Sequence, residues 1–159
     1  MLKRMVVGGL SLTAAGLISI ATWEGFKEEA YIPVPGDVPT IGFGSTEGVQ
    51  MGDTISVPDA LNRLEKDVRV AERCVNDSIK VAIPQKTFDS LVSFAYNIGC
   101  RQFADSTLVV KFNQGDLHGG CEEMKRWIFF KGRELDGLKK RRASEYEMCV
   151  EGLNGVEKD

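Results

Sequence analysis

From Met5 to Trp23 the chain runs nineteen residues without a charge, MVVGGLSLTAAGLISIATW, and the next residue is Glu24. As one helix this run spans about 28 Å at about 1.5 Å per residue, close to the thickness of a bilayer's hydrocarbon core. Lys3 and Arg4 precede it, which favours an N-terminus kept in the cytoplasm. The run is only weakly apolar. Gly8, Gly9, Gly16, Ser11, Ser19, Thr13, Thr22 and three alanines dilute its Leu, Ile and Val residues, so insertion is expected to be marginal. A cationic start followed by an apolar stretch describes a cleavable signal peptide equally well, and a core helix of a folded domain is a third use.

The stretch that follows, Trp23 to Thr46, reads WEGFKEEAYIPVPGDVPTIGFGST. It sets Glu24 directly after the apolar run, then Tyr31, then a Pro/Gly turn carrying Asp37, then Thr40 at the head of T-I-G-F-G. Breaking a glycosidic bond needs one protonated carboxyl to donate to the leaving oxygen, and a second ionised group or a held water on the other face of the sugar. Glu24 suits the donor role, because Trp23 and Phe26 are neighbours that desolvate a carboxyl and favour its neutral form. Asp37 is the candidate base or electrostatic stabiliser, and Thr40 the candidate water holder. Glu, Asp and Thr are common on any hydrophilic surface, so residue type alone does not select this chemistry.

The pattern E-G-x4-A-Y followed by G-x-x-P-T-I-G-F-G-S-T resembles the signature of the phage-type lysozymes of glycoside hydrolase family 24, the endolysins. The likeness extends through Ser90–Gly99 (SLVSFAYNIG), Ser106–Asp116 (STLVVKFNQGD), Arg126–Trp127 and Gly132 to Arg142, covering most of the chain from residue 23 to about 152. It implies an α+β, lysozyme-like fold: an N-terminal helix and a small antiparallel β lobe, joined by a long helix to a mostly helical lobe. It implies a muramidase that hydrolyses the beta-1,4 bond between N-acetylmuramic acid and N-acetylglucosamine in peptidoglycan, for lysis of a Gram-negative host. Glu24 then matches the family's general acid and Thr40 its threonine. The family's middle member stands nine residues after the glutamate and six before the threonine. Position 33 here is proline, and Asp37, the only carboxylate of that loop, takes the second role. Arg141 or Arg142 is expected near the cleft as a partner for Glu24. No metal or organic cofactor is implied.

In that family the helix before the glutamate belongs to the catalytic domain, and only Met5–Trp23 can supply it. The run therefore resembles a signal-anchor-release segment, exported uncleaved and later leaving the bilayer. This divides the chain into residues 1–23, the releasable anchor that refolds as the N-terminal helix, and residues 24–159, the catalytic domain. The expected location is the periplasmic face of the host inner membrane before release and the periplasm afterwards, with a monomer once released. Residues 1 to 73 hold no cysteine, so activation by exchange of a disulfide with the anchor is excluded. Loss of membrane potential, as when a holin acts, is the trigger that the resemblance implies.

At 159 residues and 43% hydrophobic content, one domain with a proper core is expected. A net charge of −3 argues against a general nucleic-acid binder. The one concentrated basic run, Lys139-Lys140-Arg141-Arg142, ordinarily means a solvated helix face. Cys74, Cys100, Cys121 and Cys149 form an even set with no C-x-x-C, and His118 is a single histidine, so a zinc site is poorly supplied. Export makes disulfides permissible. Of the three pairings four cysteines allow, Cys74–Cys149 with Cys100–Cys121 is the expected one, although sequence does not select among them.

Short strands are predicted around Ala30–Val34, Thr40–Gly44 and Val49–Ile55. Ser56 with Asp59 three residues on forms a capping box opening an amphipathic helix that reaches Cys74 or beyond. Pro84 starts a core helix ended by Gly99, with Phe94 and Tyr96 as packing residues. Ser106 or Asp105 caps a helix through Asn113 stopped by Gly115. Asp116 caps the next, which carries Met124 and Trp127, with Trp127 read as structural ahead of sugar stacking. GRELDG is read as a flexible link to a last helix from about Leu138 to Val150, ended by Gly152, with a frayed NGVEKD tail.

Two other functions fit the same residues. A lytic transglycosylase needs the same acid but no attacking water, and its product is lighter by one water. A catalytically dead, membrane-tethered cell-wall binder accommodates the displaced Asp. Serine-hydrolase and nucleotide-binding motifs are missing from the sequence.

Overall fold

A computed structural model describes residues 5 to 157. The expected architecture is present: an N-terminal helix, a small antiparallel β hairpin, a long helix after it and a cluster of further helices. The chain divides into two compact units, Leu17–Arg69 and the residues that precede and follow it.

The unit Leu17–Arg69 holds most of α1 (Ala14–Glu24), then β2 (Lys27–Tyr31) and β3 (Thr40–Gly42), and the first half of α2 (Val57–Ser78). Strands β2 and β3 run antiparallel, with Lys27 opposite Gly42 and Tyr31 opposite Thr40 and a register shift between those pairs. The first strand starts and ends three residues earlier than predicted. Ile32–Pro39 leaves the sheet because Pro33, Pro35 and Pro39 have no N–H for a ladder. The third predicted strand is reduced to one bridge, Glu29 to Thr54. A turn closed by the Gln50 amide on Asp53 Oδ2 (2.9 Å) interrupts it. Ala30, Ile41 and Val49, with Ile55 against them, form this unit's small core. Ser56 Oγ accepts from the Asp59 amide (3.2 Å), so Ser56 is the predicted N-cap; the Asp59 carboxylate accepts from the Ser56 hydroxyl (2.8 Å) where the predicted capping box has the Ser56 amide. Gly42 has φ +64°, and a Cβ there would lie 2.9 Å from the Ala60 Cβ, so β3 reaches α2 only as glycine.

The second unit includes β1 (Met5–Val6), which pairs antiparallel with β4 (Ile83–Pro84). Residues 5 to 23 were expected as one helix, but only Ala14 onward is helical here. Gly8 and Gly9 adopt left-handed φ values of +64° and +66°, which a helix excludes, and Thr13 Oγ1 accepts from the Gly16 amide (3.0 Å) to start α1. No helix of the described residues is long and apolar enough to cross a membrane.

The core helix α3 (Gln85–Ile98) begins after Pro84 and stops at Gly99 (φ +94°), as predicted, with Phe88, Leu91, Val92, Phe94 and Ala95 buried. Helix α4 (Cys100–Ala104) follows, and α5 (Thr107–Asn113) is capped by Ser106, whose side chain accepts from the Val109 amide. Asp116 caps α6 (Leu117–Glu123), which is shorter than predicted. A 3-10 turn over Met124–Arg126 ends it and leaves Trp127 outside the helix.

The link predicted as flexible is half of a hairpin. Strands β5 (Phe129–Phe130) and β6 (Arg133–Glu134) pair across Lys131 and Gly132, both at positive φ. The last helix α7 (Asp136–Glu157) starts earlier and ends later than predicted, and Gly152 lies inside it. A Cβ at Gly152 would come 2.4 Å from Thr87 Oγ1 and 2.6 Å from the Thr87 amide nitrogen, so this glycine lets α7 close onto α3. It is a packing residue rather than a stop. The tail is accordingly helical through Glu157.

The disulfides are Cys74–Cys100 and Cys121–Cys149, with Cα separations of 5.7 and 5.9 Å, which corrects the expected pairing. Cys74 lies on α2 and Cys100 opens α4; Cys121 and Cys149 lie on α6 and α7, which pack together. Helix packing decides which thiols meet.

Candidate active site

Glu24 is the last residue of α1, and Gly25 beyond it turns the chain at φ +70° while its amide bonds the Ala21 carbonyl (3.1 Å). That turn sends the chain straight into β2. The Glu24 side chain is half-buried and points toward the turn after β3, where Glu24 Oε2 lies 3.9 Å from the place a Cβ on Gly44 would occupy. Gly44 therefore puts no side chain against the carboxyl group. Phe26 stacks on Phe43 with ring centroids 5.4 Å apart, tying the start of β2 to the T-I-G-F-G segment.

Thr40 opens β3 and is 6% exposed. Its Oγ1 donates to the Val38 carbonyl at 3.1 Å, which commits the hydroxyl hydrogen and leaves oxygen lone pairs to accept. Asp37 sits in the exposed loop between β2 and β3, after Gly36 at φ +87°. Its amide bonds the Val34 carbonyl (3.0 Å), and Asp37 Oδ1 accepts from the Val38 amide (2.9 Å). Asp37 and Thr40 are thus brought together through Val38, and Glu24 and Gly44 face each other at the other end of the hairpin.

The same unit contains a polar cavity of about 310 Å³ lined by Ser45, Glu47, Arg63, Lys66 and Asp67. Ser45 Oγ donates to Asp67 Oδ2 at 2.7 Å, and Arg63 Nη1 donates to the Glu47 carbonyl at 3.0 Å. Sequence reading missed this pair. Ser45 follows the glycine turn and Asp67 lies twenty-two residues on, a separation that carries no periodic signal.

In the other unit, Arg141 and Arg142 are not on a solvated face, although Lys139 and Lys140 are exposed. Arg141 is 5% exposed, Arg142 1% and Glu145 1%. Arg141 Nε donates to Glu145 Oε1 (3.0 Å), which also accepts from Ser93 Oγ (2.8 Å). Arg142 Nη2 donates to Asn97 Oδ1 (2.6 Å), and its guanidinium lies 5.0 Å over the Phe94 ring. Arg142 Nε lies 3.0 Å from Glu145 Oε2, yet neither atom has an aligned hydrogen bond, so this contact is charge pairing. Burial lowers the Arg142 guanidinium to about 10, against the opposing pull of Glu145. Burial likewise pushes the Glu145 carboxyl up, against two arginines.

Trp127 packs edge-on against Phe94, with centroids 5.9 Å apart, and also lines an open cavity of about 530 Å³. Arg101, Gln102, Asp105, Glu123 and Arg126 line the same cavity. The structural reading of Trp127 therefore describes one side of the ring only. His118 Nε2 is 3.2 Å from Asn154 Oδ1, on α6 and α7. Among the described residues no three His, Cys, Asp or Glu side chains converge as a metal-holding group.

With that geometry in hand, the family described as phage lysozyme matches residues 21–145. The SAR-endolysin of Bacteriophage PS119 is 38% identical over 130 residues, covering 81% of this chain and 77% of the relative. The SAR-endolysin of Enterobacteria phage PA-2 is 34% identical over 148 residues, covering 91% and 90%. Among solved structures, the endolysin from Escherichia coli O157:H7 phage FAHEc1 superposes with a TM-score of 0.82 at 37% identity, over 91% of this chain and 96% of that one. The muramidase domain of SpmX from Asticaccaulis excentricus gives a TM-score of 0.83 at 30% identity, over 88% and 97%.

Proposed function

The chain belongs to the phage lysozyme family, and on that premise we propose that Glu24, Asp37 and Thr40 carry out its glycosidic cleavage. The protein is a lysozyme-type glycoside hydrolase, an endolysin muramidase whose substrate is the glycan strand of peptidoglycan. The observation that carries the site is the approach of Glu24 Oε2 to Gly44, whose lack of a side chain keeps that residue of the T-I-G-F-G turn from covering the carboxyl group.

In this reading Glu24 donates its proton to the glycosidic oxygen as the bond to the anomeric carbon breaks. Positive charge develops on the ring, and the Asp37 carboxylate stabilises it or draws a proton from the attacking water. Thr40 receives a hydrogen bond from that water, because its own hydrogen already goes to Val38. Water's oxygen lone pair is then free to attack.

The N-terminal run is the releasable anchor in this proposal, acting first at the periplasmic face of the inner membrane and then in the periplasm. Two relatives at 34% and 38% identity bear the name SAR-endolysin, and this run is uncharged but diluted by glycine, serine, threonine and alanine. In this reading the described fold, in which the main chain of residues 10 to 13 bonds to side chains of α2 and α3, is the released form.

Clearing of outer-membrane-permeabilised Gram-negative cells by wild type and by Glu24→Gln tests the site. A loss of roughly 10³-fold or more is expected for removal of a general acid that also anchors the site. Equal clearing by the two proteins overturns the assignment.

A further inference from the structure

Four polar side chains on two helices direct their hydrogen bonds to the main chain of residues 10 to 13. On α2, Asn76 Oδ1 accepts from the Leu10 amide (3.2 Å) while its Nδ2 donates to the Leu10 carbonyl (2.9 Å). Glu72 Oε1, one turn away, accepts from the Leu12 amide (3.1 Å). On α3, Gln85 Nε2 donates to the Ser11 carbonyl (2.8 Å) and to Asp89 Oδ1 (2.9 Å). Asp89 Oδ1 accepts from the Thr13 amide (3.2 Å), and Asp89 Oδ2 accepts from the Thr13 hydroxyl. That hydroxyl in turn caps α1 through the Gly16 amide.

Asp89 is 5% exposed and lies between the buried Phe88 and Ser90. Apart from Gln85, the partners shown for its carboxylate come from the N-terminal segment. A buried carboxylate deprived of donors is strongly unfavourable, so α3 is fully satisfied only when residues 10 to 13 are in place. Gly16 fits the same device, because a Cβ there would sit 3.0 Å from Asp89 Cγ and Oδ2. The spacing leaves no room for a larger residue beside the carboxylate.

Membrane insertion makes a competing demand on the same atoms. Within a bilayer the amides and carbonyls of residues 10 to 13 must bond inside a helix, since lipid offers no partners. In the fold the amides of Leu10, Leu12 and Thr13 and the carbonyls of Leu10 and Ser11 bond to Glu72, Asn76, Gln85 and Asp89 instead. The two states are mutually exclusive, and whatever strengthens one set of bonds shifts the population.

We propose that Glu72, Asn76, Gln85 and Asp89 form a receptor for the extracted N-terminal segment, binding it by its main chain and setting how completely the chain leaves the membrane. The release role rests on the reading above that the segment starts in the bilayer; the receptor itself does not. Because recognition is through the backbone, it tolerates changes of side chain at Leu10 and Leu12. It requires a hydroxyl at Thr13, a small residue at Gly16 and an N–H at positions 10, 12 and 13.

The experiment uses the full chain with an Asn76→Ala/Gln85→Ala double variant, Thr13→Val and Thr13→Ser. Amide hydrogen exchange of the soluble protein reports the receptor, and the soluble fraction after the membrane potential of loaded cells is dissipated reports release. The double variant and Thr13→Val are expected to lose at least tenfold in protection at residues 10, 12 and 13, a larger loss than in α3. Their released fraction falls in parallel, and Thr13→Ser restores both. Unchanged exchange at these amides overturns the receptor. Faster exchange with unchanged release overturns its role in leaving the membrane. A wild-type chain that never enters the membrane fraction overturns the anchor reading and the release role with it, while the exchange data still decide the receptor.

Discussion

Asp37 and Thr40 are bound to opposite ends of one residue: Asp37 Oδ1 takes the Val38 amide at 2.9 Å, and Thr40 Oγ1 gives its hydrogen to the Val38 carbonyl at 3.1 Å. The two candidate groups are therefore tied to each other through Val38, which is followed directly by Pro39. A loop that departs from the family's usual spacing is held in one shape by its own polar side chains.

This linkage separates charge from structure. Asp37→Asn keeps an oxygen for the Val38 amide and removes only the carboxylate charge. Steady-state hydrolysis of soluble glycan fragments is expected to slow by about 10²- to 10⁴-fold, the range for a general base, with little change in Tm at this exposed position. Thr40→Val keeps the shape and loses the lone pairs; Thr40→Ser recovers most of the rate. Full activity in Asp37→Asn assigns the second role to Thr40 and its water alone.

Gly152→Ala tests helix packing against helix propensity. Within an isolated helix the change favours helix by about 1 kcal/mol. Here the new methyl meets Thr87 at 2.4 and 2.6 Å, and the second of those atoms is main chain, which cannot swing aside. A net loss of about 1–3 kcal/mol is expected in denaturant titration, the usual range for overpacking. A stabilised variant contradicts the close contact of α7 with α3.

The cysteine pairing is open to direct mapping. Proteolysis without reductant should yield peptides joined through Cys74–Cys100 and Cys121–Cys149, and none joined through Cys74–Cys149. Replacing Cys121 and Cys149 together by serine is expected to destabilise the fold by about 3–4 kcal/mol, given the twenty-eight-residue separation.

Glu123 supplies a pH dependence whose sign is fixed. Lys111 Nζ at 2.7 Å and Arg126 Nη1 at 2.9 Å hold its carboxyl below the ordinary glutamate range, with the Lys111 bond the larger cause. A carboxyl lowered on folding releases its proton more readily in the native state, so its stabilisation is present above the ordinary glutamate range. It is lost as pH falls through the lower, folded value. Glu123→Gln should therefore be less stable than wild type near neutrality, with the gap closing in acid. A gap that stays constant with pH rules out the ion pairs as its source.

Local chemistry was legible wherever neighbours in sequence decide the outcome. Ser56 with Asp59, Pro84, Gly99, Ser106 and Asp116 marked their helix ends, because caps and stops are made within one turn of chain. The E-G and T-I-G-F-G segments marked turns for the same reason: Gly25 after Glu24 takes φ +70°, and Gly42 and Gly44 after Thr40 take φ +64° and +94°. What tertiary packing decided lay beyond that reach. Gly152 looked like a stop and is a contact with Thr87, and Arg141 and Arg142 looked solvated and are buried on Glu145. The cysteines pair according to which helices pack. The apolar leader is helical only from Thr13's cap onward, because Glu72, Asn76, Gln85 and Asp89, sixty to seventy-six residues away, claim its main chain. Periodicity reports which face of an element is apolar, but the partner of a polar atom is fixed only when distant segments meet.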